Sequence, residues 1–247
     1  MKVLLAGFLA MLALSAKAED MQKYLADTQE MVRQGKHQEA LDRFIWFHDH
    51  ALENDKGMNG VRLSFALMYW KSLGDVFPPA TTAMVETRDR TAKKVTEKGG
   101  AFAQFHDVSA LNRTLGEDSK TVDLFQTLDQ TKPDLAKQCW IVAKDAVIKA
   151  KRYALASKYI GNPAREFVQI KSMYDLNKKL YDKPMGGESL KASNENIFVE
   201  ETLQLIEVAL ALDNLKAAKE VQEKALAVVD DNRLKDAIPE PAKDAQE

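Results

Sequence analysis

The stretch 35–52, GKHQEALDRFIWFHDHAL, decides how this chain is read. A tight turn at Gly35-Lys36 leads into an amphipathic helix. Ala40, Leu41, Phe44, Ile45, Ala51 and Leu52 recur there at helical spacing and line one face. Upstream, Met21, Tyr24, Leu25, Thr28, Met31 and Val32 make a second stripe of the same period. Gly35 stands where a helix ends in a C-cap. With so short a turn between them, the two helices pack antiparallel as a helical hairpin.

Working outward, helices and breaks alternate along the chain. Residues 54–60 hold two glycines and two asparagines and read as a loop. Arg62–Phe77, RLSFALMYWKSLGDVF, reads as a third helix. Pro78-Pro79 stops it, because neither proline donates a backbone hydrogen bond and each pushes its predecessor out of helix. A proline is tolerated in a first turn, so a fourth helix begins near Pro79 and runs to Lys98. After Gly99-Gly100, residues 101–115 and 119–128 form a hairpin around Gly116. Phe102, Phe105, Val108, Leu111 and Leu115 face Val122, Phe125 and Leu128 across it. Pro133 opens the next helix, with Leu135, Trp140 and Val147 inward. A turn near Ala150-Lys151 leads to Tyr153–Ile160.

Gly161-Asn162-Pro163 is a further break, followed by a helix over 164–181. Residues 182–193, with Pro184, Gly186 and Gly187, read as the longest loop. The last pair is Ile197–Leu212 and Leu215–Asp230, joined at Asp213-Asn214. No segment alternates apolar and polar residues between turn signals, so no strand is expected. The expectation is an all-α fold of ten or eleven helices over residues 19–231. From Asn232 to Glu247 the chain lacks the large apolar residues needed to order itself, and is read as a disordered tail.

The N-terminus reads as a secretory signal. Lys2 is the positive region, Val3–Leu14 the apolar region, and Ala16-Lys17-Ala18 the cleavage site, giving a signal over 1–18. The apolar run is short of the roughly 20 residues of a membrane span. The mature chain is therefore expected to be soluble and exported, periplasmic or extracellular. Cleavage leaves about 229 residues, enough to bury a full core without staples. It also lowers the net charge from −2 to −4, which argues against a nucleic-acid binder. Cys139 is the only cysteine, so no intramolecular disulfide can form; it reads as a buried small apolar residue.

Several segments resemble tetratricopeptide repeats, in which an alanine lets paired helices touch and bulky residues fill the groove beside it. Tyr24, Gly35, Ala40 and Phe44 match in order. Trp140, Tyr153, Ala156 and Ile160 match more loosely. Leu205, Ala209, Asn214, Ala218 and Ala225 fit in the last pair. Trp70, Leu73, Gly74 and Phe77 match the W-x-x-L-G-x-x-[FY] opening of a unit, cut short by Pro78-Pro79. The alanines at 40, 156 and 218 do not keep a 34-residue spacing, so the array is degenerate. The resemblance implies helical hairpins stacked as a right-handed solenoid. It also implies a non-enzymatic function, binding a protein or peptide partner with no cofactor. One subset of the family grips carboxylates with a lysine and an asparagine four apart; Leu25 and Gln29 stand there, so that mode is not carried over.

No catalytic motif is present. His48-Asp49-His50 suggests a metal site, but residues two apart on a helix point some 200° away from each other. The pair reads as part of a polar helix face. His106-Asp107 lacks a G-x-S-x-G nucleophile, and neither H-E-x-x-H nor a phosphate loop occurs. Glu200, Glu201 and Glu207 read as a solvated face. Asn112-Arg113-Thr114 is an N-glycosylation sequon. Tyr69 and Trp70, beside the proline break, are the candidate contact residues for a partner. Two alternatives stand beside the binding scaffold: an exported hydrolase using His48, His50 or His106, metal-dependent or not, and a structural component of an envelope assembly.

Overall fold

The computed structural model describes residues 20–181 and 187–239. The expected signal at 1–18, most of the 182–193 loop's first half and the end of the tail lie outside the described residues. Everything described is helical or turn, with no strand. There are thirteen α-helices among the described residues: α1 (Met21–Arg33), α2 (His37–Asn54), α3 (Asn59–Arg62), α4 (Phe65–Val76), α5 (Pro78–Thr96), α6 (Phe102–Leu115), α7 (Asp118–Thr131), α8 (Pro133–Lys149), α9 (Tyr153–Ile160), α10 (Pro163–Tyr181), α11 (Glu188–Ala211), α12 (Leu215–Leu226) and α13 (Asn232–Lys235). Ten or eleven were expected. The excess comes from one-turn pieces too short to show a period: α3, in the segment read as a loop, and α13, at the start of the expected tail.

Two other expectations need correction. The tail begins later than Asn232, because Leu234 is fully buried and Asp231 caps α13 by accepting from the Arg233 amide. The last long helix starts at Glu188, nine residues before Ile197, so the loop before it is shorter than read. Asn194 explains part of this. Its side chain donates to the Tyr174 carbonyl and accepts from Asn177, tying the new turns of α11 to α10.

The chain divides into two compact units. One holds residues up to Lys94 and Ala110–Gly116; the other holds Val95–Ser109 and everything from Glu117. The boundary therefore runs through α5 and α6, which are continuous helices. In the first unit, α1 and α2 pack around Tyr24, Leu25, Ala40, Phe44 and Phe47, and α4 adds Leu67, Trp70 and Leu73. Arg43 clasps the first pair. Its guanidinium lies 3.6 Å from the centre of the Tyr24 ring, and it donates to Thr28 Oγ1 and the Tyr24 carbonyl. Leu111, expected to face Phe125, joins this unit's core instead.

In the second unit, consecutive helices α7–α8, α8–α9, α10–α11 and α11–α12 pack on one another. Phe105 meets Phe125 edge-on at 6.2 Å, and Trp140 stacks on Tyr159 at 5.3 Å. The Tyr159 hydroxyl and Lys158 both donate to Asp129. Cys139 is fully buried, as read from the sequence, and burial pushes its thiol up to about 12.

One turn recurs three times, after α1, α8 and α11. At each, the amide of the third residue past the helix bonds to a carbonyl five residues back: Lys36 to Met31, Arg152 to Val147, Asn214 to Ala209. The residue before it takes a positive φ: Gly35 at 76°, Lys151 at 56°, Asp213 at 58°. This is the Schellman geometry, which satisfies helix-end carbonyls and reverses the chain. Five residues beyond each left-handed residue stands an alanine, Ala40, Ala156 and Ala218, and all three are 0 % exposed. Each is the fourth residue of the returning helix, and each returning helix packs on its predecessor.

Candidate functional site

The chain around α4 places both a corner and a groove. At the C-terminal end of α4, Trp70 is 1 % exposed and donates its indole N–H to the Ala80 carbonyl at 3.0 Å, across the proline break. Gly74 is needed beside it, since a Cβ there would stand 2.2 Å from Thr81 Oγ1. The Trp-x-x-Leu-Gly stretch is thus spent on packing α4 against α5. Leu73 of the same stretch is fully buried.

At the N-terminal end, α3 stops at Arg62 and α4 restarts after Leu63 and Ser64. The Ser64 hydroxyl bonds back to the Gly60 carbonyl at 2.6 Å. This step turns Leu63 inward while leaving Phe65 and Met68 facing out, at 56 % and 51 % exposure. A groove of about 450 Å³ opens here, lined by Leu63, Ser64, Phe65, Met68 and Lys71 on one side and by Arg113 and Thr114 of α6 on the other. That is within the usual size of a ligand pocket.

Two of the groove's four polar residues, Lys71 and Arg113, are cations. Lys71 reaches Asp75 one helical turn on, at 3.3 Å, in a pair open to solvent. Arg113 is exposed and makes no ion pair among the described residues. No acidic side chain is among the groove's lining. The Thr114 hydroxyl is turned back onto the Ala110 carbonyl, which leaves its methyl for the groove. Apolar walls with two cations suit an apolar group that carries a carboxylate.

Of the two contact residues expected from sequence, neither lines the groove. Trp70 is core, and this corrects its reading as a contact residue: helical geometry sends it inward with Ala66, Leu67 and Leu73. Tyr69 is half-buried and packs on the first unit's core. Phe65 and Met68 were passed over because α4 is apolar nearly all round. Such a helix buries one face and leaves the opposite one unexplained, and that surplus was the available signal.

The histidines are dispersed. His48 is buried in the first unit, contrary to its reading as part of a polar face, and meets Trp70 edge-on at 6.1 Å. Its Nδ1 has no hydrogen-bond partner. Burial, with Arg62 and then Arg90 nearby, lowers its pKa to about 3, so the ring is neutral. His50 is turned to solvent beside Glu53 at 3.2 Å. His106, in the other unit, lies against Phe102. Among the described residues, no three His, Cys, Asp or Glu side chains are grouped to hold a metal ion.

The sequon is closed off. Asn112 is 0 % exposed, and its side-chain oxygen accepts from the buried Arg88 guanidinium at 2.9 Å. No helix among the described residues is long and apolar enough to cross a membrane. Comparison with family models, with curated proteins and with solved structures found no match.

Proposed function

We propose that this protein is an exported, non-enzymatic scaffold of degenerate tetratricopeptide type that binds another protein or a peptide, and that the groove beside α4 is the contact site. The observation that carries this reading is the groove itself: half-exposed Phe65 and Met68, with Lys71 and Arg113 at the rim. Large apolar side chains left open beside fixed charges are what a partner covers. The thrice-repeated turn, each time followed by a buried alanine, supports the repeat character. Export is supported by the N-terminal pattern from Lys2 to Ala18.

Two measurements test the reading. Mass spectrometry of the protein from its host should find a chain beginning at Glu19; an intact N-terminus on the bulk of the protein argues against export. The mature chain and its Met68→Asp variant, immobilised side by side, should differ in what they retain from the host's exported fraction. A partner held by the first and lost by the second supports the groove. Retention that ignores the substitution removes it as the site.

A further inference from the structure

We propose that the outer face of α4, with the groove beside it, docks an acidic amphipathic helix of a partner protein, laid along α4 with its carboxylates toward Lys71 and Arg113. This rests on the reading of the groove as a protein-binding site and names the kind of partner it takes.

The face is a line, not a spot. Phe65, Met68, Ser72 and Val76 stand at i, i+3, i+7 and i+11, which brings them onto one side of a helix. The three apolar members are 56 %, 51 % and 62 % exposed. At about 1.5 Å per residue the line is roughly 16 Å long, and a partner helix presenting apolar residues at the same period matches it. Ser72, small and exposed in the middle, lets a second helix come close. The opposite side of α4 is already spent: Ala66, Leu67, Trp70 and Leu73 are in the core. So α4 has two apolar faces, and one of them is covered.

Charge selects the partner. Arg113 offers a planar fork with no carboxylate on it, a geometry matched to a bidentate acid. Lys71 holds Asp75 only in an exposed i,i+4 pair, worth a few tenths of a kcal/mol and readily exchanged for a better-placed carboxylate. A fatty-acid chain fits less well. Phe65 and Met68 remain more than half open, so one narrow chain leaves them and Val76 wet, whereas a helix dries the whole line. A second copy of this chain presents the same cation-rimmed face and brings no surplus of acids to it.

The test uses the mature chain and a labelled synthetic helix of about 16 residues. The probe carries leucines at i, i+3, i+7 and i+11 with flanking glutamates. Two controls are the same peptide with lysines for glutamates and one with the leucine order scrambled. By fluorescence anisotropy, the acidic helix should bind and both controls should bind at least about tenfold more weakly. Arg113→Glu with Lys71→Glu should weaken the acidic probe by a similar factor and erase the loss of binding caused by added salt. Val76→Asp, outside the groove but on the line, should weaken it too. These residues are at the surface, so unchanged far-ultraviolet circular dichroism and urea midpoints establish that each variant is folded.

Failure of the acidic probe to bind, or equal binding of the basic or scrambled peptide, overturns the proposal. So does displacement of the probe by palmitate alone at equal occupancy, or a wild-type dimer that Val76→Asp dissociates. If the host partner of the preceding section is still lost with Met68→Asp, the binding site stands and only its ligand class is wrong. If that partner is indifferent to Met68→Asp, the site itself falls.

Discussion

The indole of Trp70 donates to the carbonyl of Ala80, ten residues on and across two prolines, with 3.0 Å between nitrogen and oxygen. Ala80 lies in the first turn of α5, and its carbonyl gives the buried indole N–H the acceptor it needs. Trp70→Phe keeps most of the ring volume and removes the donor. It should lower stability by about 1–3 kcal/mol in urea unfolding, through the lost buried hydrogen bond and the volume that the smaller ring leaves unfilled. Tyr69→Phe serves as the neighbouring control and should change stability little.

Gly74 and Thr81 form the other half of that corner. Gly74→Ala places a methyl against Thr81 Oγ1 and should cost about 1–3 kcal/mol. Adding Thr81→Ala removes the clashing oxygen. The double variant should therefore recover most of the loss, a coupling that a thermodynamic cycle measures directly.

The three matching turns are not equally furnished. Gly35 takes its positive φ without strain, while Lys151 and Asp213 hold side chains in the same left-handed region. Lys151→Gly and Asp213→Gly should each raise stability, by about 0.5–1 kcal/mol after the entropy of the added glycine is counted. Gly35→Ala should lower it by about 1 kcal/mol. Thermal melts of the three single variants check both signs.

His48 makes stability depend on pH. Its folded pKa, about 3, lies below the ordinary 6.5, so the unfolded chain takes up a proton first as pH falls. The contribution is fully present above pH 6.5 and is lost progressively from there toward pH 3. Over the first two pH units of that window the loss should be roughly 2–3 kcal/mol. Urea midpoints measured from pH 7.5 to 4.5 should therefore fall, and His48→Leu should flatten the fall. An unchanged slope in that variant rules out His48 as the source.

Cys139 should behave as an inert thiol in the native protein. Burial holds it far above the reactive range. Ellman's reagent should find no thiol until urea unfolds the chain, and reaction should then follow the unfolding transition.

Much of the fold could be read from the chain because its punctuation is chemical. Gly35, Pro78-Pro79, Gly116, Pro133 and Gly161-Asn162-Pro163 each end or open a helix for a local reason, and the helices lie between them. The one-turn helices α3 and α13 were not legible, since four residues show no period and Leu234 is ordered by what it packs on. The groove was half legible. Sequence drew attention to α4, but singled out its aromatics near the proline break, Tyr69 and Trp70. Burial then sorted the helix by angle, sending Trp70 inward and leaving Phe65 and Met68 out. Arg113 could not have been joined to them at all, because it lies on α6, some fifty residues along the chain.

The interior position of Asn112 bears on how the protein is best produced. A eukaryotic secretory host scans the chain while it is still extended, before Arg88 has closed over that amide. An oligosaccharide attached then has no room in the finished fold, so such material would be trapped short of the native state. Bacterial expression, or Thr114→Val to erase the signal, avoids the trap, and the share of chains carrying sugar in a yeast culture would report how long this segment stays open during synthesis.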